Sequence, residues 1–153
     1  MQQQKYQNLV VKIVNVNAIH PVGVKGEKMK LSEAILLGAS MNKQAFGTYK
    51  DKDGGTCALG AAMEAVGCLA SVDPGIDEQV LIQMFLKQKF PLLLKRKGLG
   101  QDITRWNDEV HASRETIAKE VERIENEEEK KMELKIQNNS EAPKDILLQP
   151  ITA

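Results

Sequence analysis

The segment that most constrains this chain runs Thr56-Cys57-Ala58-Leu59-Gly60-Ala61-Ala62-Met63-Glu64-Ala65-Val66-Gly67. Its composition predicts a helix from Thr56 to Val66, with Thr56 capping the start and Gly67 closing the end in the left-handed conformation. A glycine inside a helix costs about 1 kcal/mol against alanine. Gly60 among alanines is therefore explained by another element pressed against the helix backbone. This places the segment at the centre of the domain. Only six of 153 residues are aromatic, so the core around it is aliphatic.

The remaining helices follow from caps and periodicity. A first helix is expected from Ser32 to Ser40, with Ser32 as N-cap, Glu33 complementing the helix dipole, and Leu31 stapled onto Leu36. Ala34, Ile35 and Gly38 fall on one side, and Gly38 permits a close neighbour. Asp77 to Phe90 is a third helix, its 3.6-residue stripe reading Val80, Leu81, Met84, Phe85 and Gln88. Pro91 interrupts it, and Gly98 and Gly100 break the chain again. A short helix is expected from Asp102 to Trp106. The last helix starts at Ser113 and keeps an apolar face at Ile117, Val121 and Ile124. Beyond Ile124 that face dissolves into Glu127-Glu128-Glu129-Lys130-Lys131.

Strand signals are sparse. Leu9 to Val16 is β-branched and reads as one strand, which needs a partner. Phe46-Gly47-Thr48-Tyr49 is the candidate partner, followed by a polar turn from Lys50 to Gly55. The fold class expected is mainly α (α+β): a compact bundle of about four to five helices with a minor two- or three-stranded β element. Residues 29–125 form the core domain, and 1–28 a strand-like extension, either appended or an overextended gene start. Residues 126–136 continue as a charged helical extension, and 137–153 as a flexible tail bearing the apolar island Ile146 to Ile151.

Charge excludes some functions. Lys plus Arg and Asp plus Glu both number 21, so the chain is neither a globally basic nucleic-acid coat nor an acidic mimic. The distribution is uneven. Residues 1–100 carry 13 basic and 8 acidic side chains, and residues 101–153 carry 8 and 13. Two solvated faces of opposite sign explain this, as does a basic surface covered by the acidic helix within the chain or between copies. Two cysteines make no disulfide framework. No apolar run reaches the length of a membrane span and the N-terminus lacks a secretory signal. A cytoplasmic protein with reduced thiols is expected.

Several constellations carry a chemical reading beside a structural one. Cys57, in the first turn of its helix, would have its thiol pKa lowered by the dipole and free amides, and with His111 as base would form a nucleophile pair. Otherwise it is a small buried hydrophobe. No third orienting residue is evident, so no catalytic residue is assigned, and Cys57 and His111 stand as the candidates. Cys57, Cys68, His20 and His111 fit no common zinc spacing, and neither metal nor cofactor is expected. Lys87, Lys89, Lys95, Arg96 and Lys97 form the basic cluster. They offer phosphate contacts for nucleic acid, or solubilise the apolar stretch from Phe85 to Leu94. Trp106-Asn107-Asp108 is a ligand-contacting corner, or a structural one in which Trp106 packs on the second helix and Asn107 or Asp108 satisfies backbone amides.

Together, Leu31-Ser32-Glu33-Ala34-Ile35-Leu36-Leu37-Gly38-Ala39, Cys57-Ala58-Leu59-Gly60-Ala61, Trp106-Asn107-Asp108 and Ser113-Arg114-Glu115-Thr116-Ile117-Ala118 resemble a group of small bacterial and phage proteins. These carry a CALGA helix, a downstream (L/W)ND segment and a capped (S/T)xExIA helix. The resemblance covers about residues 29–125 and implies a compact α-rich domain, with no activity established for the group. Many of these proteins carry a Cys-Pro-x-Cys knuckle in the middle region. Here that region reads Pro91-Leu92-Leu93-Leu94-Lys95-Arg96-Lys97-Gly98, so no metal role carries over.

The functional expectation is a non-enzymatic protein-interaction module, of the phage or mobile-element accessory type, with the last helix and tail as contact elements. The alternatives are a nucleic-acid-binding accessory protein acting through the basic cluster and a Cys57-dependent enzyme. A protein partner is expected, self-association is open, and no membrane is involved.

Overall fold

The computed structural model describes residues 29–68 and 75–140. The expected strand at Leu9–Val16, His20 and the apolar island of the tail lie outside the described residues. Among the described residues six helices form: α1 (Leu31–Met41), α2 (Ala58–Ala65), α3 (Ile76–Lys89), α4 (Leu92–Lys95), α5 (Leu99–Asp108) and α6 (Arg114–Ser140). The fold is mainly helical. Among the described residues there is no strand. Thr56 alone forms two isolated bridges, parallel with Gln44 and antiparallel with Lys50. Phe46 to Tyr49, expected as a strand, is a run of bends that leaves Phe46 half exposed.

The chain divides into two units, Met1–Glu122 and Arg123–Ala153. In the first, α1 and α2 make the central pair. Gly38 of α1 faces the backbone of α2 so closely that a Cβ there would lie 2.0 Å from the Ala61 carbonyl oxygen. Gly60 of α2 faces the loop from α1 in the same manner, its absent Cβ 2.0 Å from the Tyr49 carbonyl oxygen. Both glycines thus serve the close approach that their helical settings implied. Ala34, Ile35, Ala58, Ala61, Ala62 and Met63 are fully buried around this contact.

Several boundaries differ from those expected. Lys30, not Ser32, is the N-cap of α1; the Glu33 carboxylate accepts the Lys30 N–H at 3.2 Å, and Ser32 is buried inside the first turn. Leu31, expected to staple onto Leu36, is a core residue in the first turn of α1 at 2% exposed, while Leu36 is 46% exposed. Cys57, not Thr56, caps α2, because Thr56 is held in its two bridges; Gly67 closes the helix with φ 78° as expected.

On α3 the buried residues are Ile82, Phe85 and Leu86, whereas Val80 and Met84 are exposed. The helix is apolar on two sides, and packing selects the side about one residue away from the expected stripe. Gly98 does not break the chain before α5 but starts it, as a left-handed N-cap with φ 83°. Gly100 then lies within the helix, which runs on through Trp106, Asn107 and Asp108.

The last helix begins as expected. The Ser113 hydroxyl accepts the Thr116 N–H at 3.1 Å, and Ile117, Val121 and Ile124 are buried. In the second unit the described residues continue α6 to Ser140, four residues into the segment expected to be tail. Its charges pair locally, Arg123 with Glu127 and Lys131 with Glu128, and Met132, Leu134 and Ile136 are exposed.

Candidate functional site

Two buried polar hubs fix the loop between α1 and α2, and this loop contributes Tyr49 to one side of a concave site large enough for a ligand. The first hub is Arg114, 4% exposed. Its guanidinium donates to Asn42 Oδ1 at 2.7 Å, to Thr56 Oγ1 at 2.9 Å and to the Thr56 and Ala39 carbonyls at 3.3 Å each, and also to the Asn42 carbonyl. A cation on the last carbonyls of α1 is favoured by the negative end of the helix dipole. Burial draws the Arg114 pKa below its usual value. Beside it, Glu64 accepts from Lys50 Nζ at 2.9 Å and from the Asn42 amide.

The second hub is Asn107, which has no exposed surface. Its Oδ1 accepts from Gln44 Nε2 at 2.9 Å and from the Ala58 N–H at 3.2 Å, and its Nδ2 donates to the Ala45 carbonyl and the Asp108 carboxylate at 2.9 and 2.7 Å. Asp108 Oδ1 also accepts the Gly47 N–H at 2.9 Å. Asn107 and Asp108 therefore satisfy amides, but those of α2 and of the 42–57 loop rather than those ahead of α6. One side chain of α5 ties together three segments distant in sequence.

Cys57 stands at the start of α2, where its sulfur accepts the Gly60 N–H at 3.3 Å. That amide lowers the thiol pKa as the sequence implied, but burial acts more strongly and the Asp108 charge adds to it, so the pKa rises to about 11. His111 is exposed in a left-handed conformation with φ 57°, its ring edge-on to Phe46 at 4.8 Å. Among the described residues no hydrogen bond joins Cys57 to His111. Cys68 is likewise raised to about 11, chiefly by burial.

Iodoacetamide is thus expected to label the native protein slowly at pH 8, with about a hundredfold less thiolate than a thiol of pKa 9 provides. Labelling should climb through pH 11 and be rapid in denaturant. Fast labelling of Cys57 at pH 8 would reject this account. The same shift makes stability fall as pH rises from 9 towards 11, since the folded chain holds protons that the unfolded chain releases.

The concave site is a cleft of about 620 Å³ between α3, α4, α5 and Tyr49. The buried side chains of Leu59, Leu86 and Leu93 line it. One full face of α5 forms a wall, from Gly98 and Gln101 through Thr104 and Arg105 to Asp108 and Glu109. Tyr49 closes one side; its hydroxyl is hydrogen-bonded to Gln83, and burial raises its pKa. Lys87, one turn beyond Gln83, and Lys97, just ahead of α5, line the opposite side. Neither ammonium makes an ion pair among the described residues, whereas Arg105 meets Asp102 at 3.5 Å. Charge therefore changes sign along the cleft, from Lys87 and Lys97 near α4 to Asp108 and Glu109 at the end of α5.

The basic cluster is divided by the fold. Lys87 and Lys97 reach the cleft, while Lys89 lies over the Phe85 ring at 5.8 Å. Lys95 and Arg96 do not line the cleft. Trp106 is half-buried on α5 and Ser113 caps α6, both outside the cleft lining. Tyr49, Gln83, Arg105 and Glu109 escaped the sequence reading because nothing in their local spacing sets them apart; only the packing of three helices brings them to one cleft. Among the described residues no group of three or more His, Cys, Asp or Glu is placed to hold a metal ion, and no helix is long and apolar enough to cross a membrane. Compared with protein-family models, curated proteins and solved structures, the chain matches none.

Proposed function

We propose that this protein is a non-enzymatic protein-interaction module whose receiving surface is the cleft along α5. The observation that carries the reading is the cleft's make-up: a leucine floor with opposite charges at its two ends. A volume of a few hundred Å³, mostly apolar with a few placed polar groups, is the usual form of a binding pocket. A thiol held protonated with no base bonded to it supports binding over nucleophilic chemistry. Asp108 and Glu109 repel a polyphosphate laid along the cleft, which favours a peptide over nucleic acid. The exposed part of α6 is the weaker contact element, because its charges pair within the helix and Leu134 lies on a different side from Met132 and Ile136.

Selection of a random peptide library on the full chain tests the reading. It is expected to enrich one sequence family whose binding perturbs the backbone resonances of Gln83 and of residues 98–109. Failure to enrich any family, or perturbation confined to α6, overturns it. Retardation of duplex or single-stranded nucleic acid at low salt, abolished by K87E/K97E, would replace it with the nucleic-acid reading.

A further inference from the structure

Gly100 stands apart from the other helical glycines of this fold. Gly38 and Gly60 are imposed by backbone 2.0 Å from where a Cβ would be. Gly98 adopts a positive φ that only glycine accepts readily. Gly100 has neither reason: its φ is not positive, and the nearest atom a Cβ would meet is Leu93 Cδ2 at 4.0 Å, an ordinary contact. A glycine within a helix is nevertheless unfavourable. What its missing side chain leaves open is the cleft beside Leu93.

From this opening and from the charge reversal along α5 we infer the chemistry of the occupant. It is an extended segment of a partner protein with an acidic residue at the Lys87–Lys97 side, an aliphatic side chain resting on the surface that Leu93 and Gly100 present to the cleft, and a basic residue at the Asp108–Glu109 end. This inference rests on the cleft being the receiving surface. The spacing follows from the wall. α5 has ten residues and is about 15 Å long at 1.5 Å per residue. An extended peptide advances about 3.3 Å per residue, so its acidic and basic residues stand about four to five positions apart. Lys87 and Lys97, without ion pairs among the described residues, are the available counter-charges for the acidic end. Glu109, exposed at the far end, receives the basic one. Gly100 is the specificity-determining residue, because any side chain there shortens the aliphatic subsite.

Peptides selected on the full chain, measured by fluorescence anisotropy against four variants, test the inference. The enriched family is expected to read acidic, aliphatic, basic with the stated spacing. K87E/K97E should weaken its binding at least tenfold and, when reselected, prefer a basic residue at that position. E109K should do the same at the opposite end. Gly100→Ala should keep or raise the melting temperature while weakening binding, and Gly100→Leu should weaken it further. An enriched family without charge bias, or one whose affinity is unchanged in K87E/K97E, overturns the inference and leaves the cleft as an interaction site. Enrichment of no family overturns both.

Discussion

Gly38→Ala is expected to lower stability by about 3 kcal/mol or more, and to shift the urea midpoint down by roughly 1–2 M. The added methyl would lie 2.0 Å from the Ala61 carbonyl oxygen, 2.4 Å from its carbon and 2.6 Å from the Ala61 Cα. All three atoms are backbone of α2, so no side-chain rotation relieves the clash, and the two helices must separate. Separation would loosen Ala34, Ile35, Ala58 and Ala62, none of which has exposed surface. The helix-propensity gain of alanine, about 1 kcal/mol, is too small to offset this. Gly60→Ala meets an equally close atom, but the Tyr49 carbonyl belongs to a loop and only one backbone carbon lies behind it within 3 Å. Its cost should therefore be the smaller of the two. Urea titration followed by helical circular dichroism checks the order. A Gly38→Ala protein with an unchanged midpoint would mean that α1 and α2 are not in backbone contact.

Asn107→Leu should cost about 3 kcal/mol, as much as truncating a large core residue, although leucine nearly matches asparagine in shape. The loss comes from partners left behind. The Ala58 N–H and the Ala45 carbonyl lose their side-chain partner in a site that has no exposed surface. Asn107→Asp separates the two halves of the hub. An ionised carboxylate keeps the acceptor for Ala58 and Gln44 but cannot donate to Ala45, and it faces the Asp108 carboxylate that Nδ2 now meets at 2.7 Å. Its pKa in the folded state must rise above that of the unfolded chain. The folded variant then binds more protons than the unfolded one, so its stability relative to the wild type is better near pH 4 and declines as pH rises. Thermal melts of N107D and the wild type at pH 4 and 7 measure this; a gap that does not widen with pH would contradict it.

How much of this could be read along the chain depends on how local the cause is. Gly38 and Gly60 were legible because a glycine at a helical position is a deviation from local preference that needs an external reason. Gly67 and Ser113 were legible because a cap is decided within four residues. The buried face of α6 followed from a single apolar stripe that polar residues bound on both sides. Where two local answers are equally good, the chain alone misleads. The stripe expected on α3, Val80, Leu81, Met84, Phe85 and Gln88, shares only Phe85 with the buried set Ile82, Phe85 and Leu86, and periodicity does not rank the two faces. Thr56 and Cys57 are both competent caps, and the bridges from Gln44 and Lys50 remove Thr56 from contention.

The sequence by itself determined the helical class, the central place of the alanine-rich helix and the start of the last helix, because each rests on preferences expressed within one or two turns. Only the tertiary structure decided that Arg114 is buried on the end of α1, that Asn107 bridges the 42–57 loop and α2, and that Lys87 and Lys97 share a cleft from which Lys89 is turned away. Those placements arise from residues up to 75 positions apart. The hydrogen bonds and the charge pattern that define them exist only once the intervening helices have packed.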